Sequence, residues 1–251
     1  MANFLSDGIE IAYQVYGKGK PIVLVHGFAS NGAVNWLATS WIQTLNEAGY
    51  RCITIDNRGH GNSEKLYDRA LYGARMMAGD VAGLIRYLKL GPVPVMGYSM
   101  GARIATFVAL DHPETISALI IGGLGINMVR GFNNSDEIIK GLLAPSLEAV
   151  SDPVGRQFRK FAEHTKSDMN ALAACMGSSR EPIRADDLAK IKIPTLVAVG
   201  SEDEIGGDPE ALAALFEDGE ALIIADRDHM RATGDKNFKS GVIEFLAKRG
   251  A

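Results

Sequence analysis

Short apolar runs bounded by turn residues recur along the chain, at 9–16, 22–25, 52–55, 93–96, 118–121, 195–199 and 221–224. Runs of four to eight apolar residues flanked by glycine, proline and small polar residues read as strands. Between most of them the apolar positions change to a helical spacing, over 36–48, 75–88, 100–110 and 238–246. Parallel strands need helical crossovers, so this alternation predicts an α/β fold with a mostly parallel central sheet and helices on both faces.

One interval breaks the rhythm. From 126 to 188 the sequence shows no strand pattern, and amphipathic pieces at 136–143, 153–164 and 168–176 predict several short helices instead. An insertion of that length is too long for a plain loop and points to a lid or subdomain. The expected organisation is therefore a core of residues 1–125 and 189–251 with a small helical cap insertion at 126–188. Phe28, Tyr98, Met128, Phe132, Phe158, Phe161, Met169 and Met176 are candidates to line an apolar cavity beneath it, with ordinary packing an equal reading for each cap residue.

The run 93–96 leads into Gly97-Tyr98-Ser99-Met100-Gly101 and then into the helical stretch from Ala102. This matches GxSxG at a strand-to-helix turn, the context that the motif's mechanics require. A serine on so tight a turn is held clear of the sheet near a helix N-terminus, and the flanking glycines leave room for neighbouring backbone. Ser99 is the candidate nucleophile. A serine hydroxyl needs an imidazole to accept its proton and an acid to orient that imidazole. Of the five histidines only His229 follows the last expected strand, whereas His26 and His60 follow early strands, His112 ends a helix and His164 falls in the insertion. For the acid, the strand at 195–199 opens into Gly200-Ser201-Glu202-Asp203-Glu204. Asp203 is the candidate, with Glu202 and Glu204 as alternates. The order Ser, Asp, His is the one this elbow calls for. Backbone N–H groups of Met100, after the nucleophile, and of Phe28, in the turn Val25-His26-Gly27-Phe28, are the candidate oxyanion donors.

Composition narrows the function classes. The net charge of −4 comes with basic and acidic residues interspersed, so no polybasic stripe is available for nucleic acid or an anionic membrane. The most apolar later stretch, near 118–126, is far shorter than the roughly 20 residues of a membrane-spanning helix. The first residues alternate apolar and polar without the charged start and apolar run of a signal peptide, from which a cytoplasmic location is expected. Cys52 and Cys175 are remote from each other and form no CxxC or Cys/His cluster, so they are expected to be reduced and structural. No metal or organic cofactor is expected, and the expected partner is a small-molecule substrate; the sequence does not set an oligomeric state. The glycines of Tyr16-Gly17-Lys18-Gly19-Lys20 lack a following GKS or GKT, and Gly122-Gly123-Leu124-Gly125 is an incomplete dinucleotide loop, so both are expected to be turns.

Taken together, Gly97 to Gly101, His26-Gly27-Phe28, the loop Asp56-Asn57-Arg58-Gly59-His60-Gly61-Asn62-Ser63, Ile193-Pro194-Thr195-Leu196-Val197, Gly200 to Asp203, and Asp228-His229-Met230 resemble the α/β-hydrolase superfamily. The resemblance is greatest to its compact bacterial branch with a helical cap, which includes esterases and lactonases. It implies a triad of Ser99, Asp203 and His229, with 126–188 as a cap over the pocket. Many relatives carry glycine where this chain has Asp228. A serine at the elbow disfavours haloalkane dehalogenase and epoxide hydrolase chemistry, in which that position is aspartate. The expected activity is hydrolysis of a small to medium ester-like substrate. The same residues are compatible with carbon–carbon bond hydrolysis, lactone opening, perhydrolysis or acyl transfer, and a non-catalytic ligand receptor is the reading from another class.

Overall fold

Strand side chains alternate between two faces, and in a sheet covered on both sides each face must be apolar. In the computed structural model, which describes residues 1–131, 134–178 and 182–250, the strands are β1 (Ala2–Ser6), β2 (Ile9–Tyr16), β3 (Lys20–Val25), β4 (Tyr50–Ile55), β5 (Val93–Tyr98), β6 (Ile116–Gly122), β7 (Thr195–Gly200) and β8 (Gly219–Ile224). They form one sheet in the order β1-β2-β4-β3-β5-β6-β7-β8, antiparallel at β1-β2 and β2-β4 and parallel from β4 onward. The helices are α1 (Trp41–Glu47), α2 (Ala74–Tyr87), α3 (Met100–Asp111), α4 (Asn127–Arg130), α5 (Ser135–Leu143), α6 (Pro153–His164), α7 (Met169–Met176), α8 (Ala185–Leu188), α9 (Pro209–Ala213) and α10 (Lys236–Lys248).

The alternation sorts the core into two layers. Ile22, Leu24, Cys52, Met96 and Ile120 pack with Trp41 of α1 and with Phe238 and Phe245 of α10. Their strand neighbours Val23, Val25, Ile53, Val95 and Leu119 pack on the other face with Leu84 of α2 and Phe107 of α3. Both tryptophans are fully buried, and the Trp41 indole N–H donates to the Thr233 carbonyl (2.6 Å), which ties α1 to the segment before α10.

Two expectations change. The stretch 36–48 is not one helix: residues 33–37 form a wide turn closed by Ala38 N–H on the Ala33 carbonyl, and Ser40 at φ 62° breaks the chain before α1 begins. The second change is β1, which pairs with β2 through an Asp7-Gly8 turn with both residues at positive φ, the geometry of a two-residue hairpin. Between β6 and β7, α5 packs on α6 so closely that a Cβ on Gly141 would lie 2.6 Å from the Gly155 carbonyl oxygen. The segment joins the strand-bearing part where Thr165 Oγ1 donates to the Ala29 carbonyl (2.9 Å) and Tyr67 Oη donates to Asp168 (3.0 Å).

Two buried polar arrangements carry measurable consequences. Arg58, in the loop after β4, donates to Asp80 of α2 through Nε (2.8 Å) and Nη2 (2.7 Å) and to the Leu71 carbonyl through Nη1 (2.7 Å). Both side chains are buried. Removing one member would leave the other as an uncompensated buried charge. Asp80→Ala is therefore expected to lower the unfolding free energy by about 3–5 kcal/mol in urea titrations, against less than about 1 kcal/mol for Glu114→Ala at the exposed Arg86–Glu114 pair. Equal effects of the two variants would contradict this account.

His26 and His60 are both fully buried, with ring centroids 5.3 Å apart. Burial holds both imidazoles below their ordinary range, and for His60, with His26 beside it, down to about 3. The unfolded chain then binds more protons than the native one as pH falls below about 6.5, so stability is lost on acidification through this window. The slope is expected to approach about 1.4 kcal/mol per pH unit from His60, with His26 adding to it in the same direction. Urea unfolding at pH 7.5, 6 and 5 tests this, and a flat profile would mean that the imidazoles accept protons in the native state.

Candidate active site

The elbow is dictated by how closely α3 sits on the strands. A Cβ on Gly101 would fall 2.1 Å from the Val25 carbonyl oxygen, and one on Gly97 would fall 2.1 Å from the Gly101 carbonyl oxygen. No side chain fits at either position. Between them Ser99 is held at φ 54° and ψ −116°, a strained conformation for a residue with a side chain. Its N–H is fixed on the Gly122 carbonyl (2.8 Å), and its carbonyl accepts the N–H groups of Ala102 and Arg103 in the first turn of α3.

The structure brings Ser99, His229 and Asp203 together from three separate turns. Ser99 Oγ lies 2.9 Å from His229 Nε2, and His229 Nδ1 lies 2.8 Å from Asp203 Oδ2. Asp203, in the turn after β7, has a fully buried side chain, and its other oxygen accepts the Gly206 N–H (2.8 Å). A carboxylate only accepts, so Nδ1 carries the proton and Nε2 presents its lone pair to the serine hydroxyl. His229 is further held by Tyr98 Oη donating to its carbonyl (2.6 Å). Asp228 accepts the N–H groups of Met230 (3.0 Å) and Arg231 (2.8 Å) and so turns the chain locally. Glu202 and Glu204 are exposed, as is His164, while His112 faces Arg86 beyond the end of α3.

Among the described residues neither the Phe28 N–H nor the Met100 N–H donates to an acceptor. Phe28 follows β3 and Met100 opens α3, so both flank the Ser99 turn, and the positive end of the α3 dipole lies there too. Two side chains without any motif to mark them also brace this region. Asn35 Oδ1 accepts the Gly27 N–H (3.0 Å), and Asn127 Nδ2 donates to the carbonyls of Glu204 (3.1 Å) and Ile205 (3.2 Å) in the Asp203 turn.

Above Ser99 and His229 opens a cavity of about 510 Å³. Of the candidate lining residues Phe28, Tyr98, Met128, Phe158, Phe161 and Met176 line it, and Met169 does not. Phe132 lies outside the described residues. Met77 and Ile138 add apolar surface, and Ser30, Asn35, Thr39 and Arg103 add polar groups, none of which the sequence reading singled out. Among the described residues no cluster of three or more His, Cys, Asp or Glu side chains is arranged to hold a metal ion, and no helix is long and apolar enough to cross a membrane.

Comparison with known proteins identifies the fold family. The sequence model described as alpha/beta hydrolase fold matches residues 20–144, a span that includes Phe28 and Ser99. The non-heme chloroperoxidase CPO-A1 of Kitasatospora aureofaciens is 27% identical over 96% of this chain and 98% of its own length. A putative 2-succinyl-6-hydroxy-2,4-cyclohexadiene-1-carboxylate synthase of Bacillus subtilis is 33% identical over 80% of each chain. Among solved structures, a thermophilic esterase from Thermogutta terrifontis superposes with a TM-score of 0.74 at 26% identity, covering 99% of this chain and 97% of that one. With the sheet order, the serine elbow and relatives matched along most of its length, this chain belongs to the α/β-hydrolase family of enzymes.

Proposed function

We propose that the protein is a serine hydrolase that cleaves a small to medium ester-like substrate through an acyl-enzyme. The observation that carries this reading is the continuous line of hydrogen bonds from Ser99 Oγ to His229 Nε2 and from His229 Nδ1 to Asp203, with Asp203 sealed from solvent. In the proposed reaction Ser99 Oγ attacks the ester carbonyl as its proton passes to His229 Nε2, and Asp203 stabilises the imidazolium that results. The oxyanion gathers at the Phe28 and Met100 N–H groups, which are already oriented and need not reorganise as charge develops. His229 returns the proton to the leaving alkoxide. Water then repeats the sequence on the acyl-enzyme, giving the free acid and restoring the serine.

The lining supports an apolar acyl or alkyl group. The cavity volume lies in the range of small-molecule sites, and aromatic and thioether side chains form much of its wall. In this reading residues 126–188 act as the cap: Met128, Ile138, Phe158, Phe161 and Met176 come from that segment, and they close over a nucleophile that the strand-bearing part supplies.

Ser99→Ala is expected to reduce kcat/KM for p-nitrophenyl esters by about 10⁴-fold or more with the fold intact, and Asp203→Asn by about 10⁴-fold because the imidazole loses its tautomer. A fluorophosphonate probe should label the wild type and not Ser99→Ala. Full turnover by Ser99→Ala would refute the mechanism. A panel of esters graded in acyl size and charge should show preference for small and medium apolar acyl groups. Preference for bulky charged acids would contradict the reading of the cavity.

A further inference from the structure

The peptide between Gly27 and Phe28 is trans, so its carbonyl and its N–H point in opposite directions. The Gly27 carbonyl is tied on one side by His26 Nδ1–H (2.7 Å) and the Ser30 N–H (3.3 Å). This leaves the Phe28 N–H facing away from them, with no acceptor among the described residues. The imidazole is itself fixed, because its Nε2 accepts the Asn57 N–H (3.0 Å). At the other end of residue 27, the N–H donates to Asn35 Oδ1 (3.0 Å). Gly27 lies directly against the nucleophile, since a Cβ built on it would stand 3.5 Å from the Ser99 Cβ. Any rotation about Gly27 therefore swings the Phe28 N–H relative to Ser99.

Asn35 makes this fixation at a cost. The Gly27 N–H can meet only the oxygen of the carboxamide, so Nδ2 must face elsewhere. It finds no partner, although the residue is only 5% exposed and lines the cavity. Its backbone is held in place by its N–H on the Asn31 carbonyl (2.9 Å) and by Thr39 Oγ1 on its carbonyl (2.6 Å). A leucine of similar shape would remove the orphaned Nδ2 and strand the Gly27 N–H instead. One unsatisfied donor would replace another, so stability alone gives no reason for an amide here. What the amide adds is direction.

We propose that Asn35 is a positioning residue that, together with His26, clamps Gly27 at both ends and so aims the Phe28 N–H at the oxyanion formed on Ser99. This rests on the serine-hydrolase reading above. The nearest approach to a substitution that isolates the effect is Asn35→Leu, which keeps the branching of the side chain and loses its acceptor. Asn35→Ala, which opens space rather than filling it, guards against a packing artefact. Both are measured on the full chain with p-nitrophenyl butyrate, and rates are normalised to Ser99 sites titrated with a fluorophosphonate.

Either variant is expected to lose about 10- to 100-fold in kcat per titrated site, less than outright removal of an oxyanion donor, with KM within about threefold of wild type. The inhibition constant of an alkyl boronic acid, whose tetrahedral adduct places an oxygen in the oxyanion site, should rise by a similar factor. The Asn35→Leu melting temperature should shift by no more than about 4 °C. A merely structural role would move the melting temperature and the number of titrated sites and leave kcat per site alone. The proposal is overturned if kcat per site in both variants stays within threefold of wild type, or if KM rises while kcat holds. A wild type that takes no label at Ser99 would overturn the hydrolase reading and this one together, whereas a labelled wild type matched by its variants overturns this one alone.

Discussion

Gly101 is pressed against the end of β3 with no room for a methyl group between its Cα and the Val25 carbonyl. That contact exists because β3 and β5 are neighbours in the sheet although they are not neighbours in sequence. It lets α3 begin directly above the strand ends and holds Ser99 in a backbone conformation that a free chain would abandon. It also sets the turn after β3, with Gly27 and Phe28, beside the turn after β5. Parallel strands place all their carboxyl ends along one edge, so the turns after β7 and β8 deliver Asp203 and His229 to the same side. A side chain at position 97 or 101 would disturb each of these placements at once.

The polar groups around this edge separate into those that carry charge and those held without it. Asp203 has one oxygen on a backbone N–H and the other on His229, so its charge is spent on orientation and not on solvent. Beneath the turn of Gly27 and Phe28, burial keeps His26 and His60 short of protonation, and His26 serves as a neutral brace that donates through one nitrogen and accepts through the other. A cation at that place would lose the Asn57 N–H as a donor to Nε2. The Arg58–Asp80 pair, with its charges matched fork to fork, fixes the loop after β4 that carries Asn57 and His60. Neutral imidazoles and a matched ion pair thus support the loop without adding a net charge near the serine.

Much of this was readable from the chain because the deciding signals are local. The inner strands are buried on both faces and so show as continuous apolar runs, and the elbow, the Asp203 turn and the His229 turn each stand in a recognisable local context. What escaped is non-local or too short to show a period. β1 is an outer strand with Leu5 exposed and Phe4 buried, so it lacks the uniform apolar run of the inner strands. The helices α4, α8 and α9 have four or five residues, barely one turn. The stretch 36–48 has helical spacing throughout, and only the left-handed Ser40 divides it. Asn127 and Tyr98 act through hydrogen bonds to residues 77 to 131 positions away, which no window of sequence contains, and Asn35 through one that only the folded turn after β3 creates.

The brace supplied by Asn127 links two parts of the molecule that the sequence reading kept apart. Asn127 opens α4, at the start of the segment between β6 and β7, yet its carboxamide holds the Glu204 and Ile205 carbonyls, and its N–H reaches the Gly206 carbonyl (3.2 Å). Gly206 in turn donates to Asp203. The residue that orients His229 is therefore anchored partly by the first turn of the inserted helices, and the Gly125 N–H makes a second bond to the same Gly206 carbonyl (2.9 Å). Met128, one residue on, lines the cavity. The cavity wall at Met128 and the carboxylate that meets the imidazole are thus joined by one short path of hydrogen bonds, through Asn127 and Gly206.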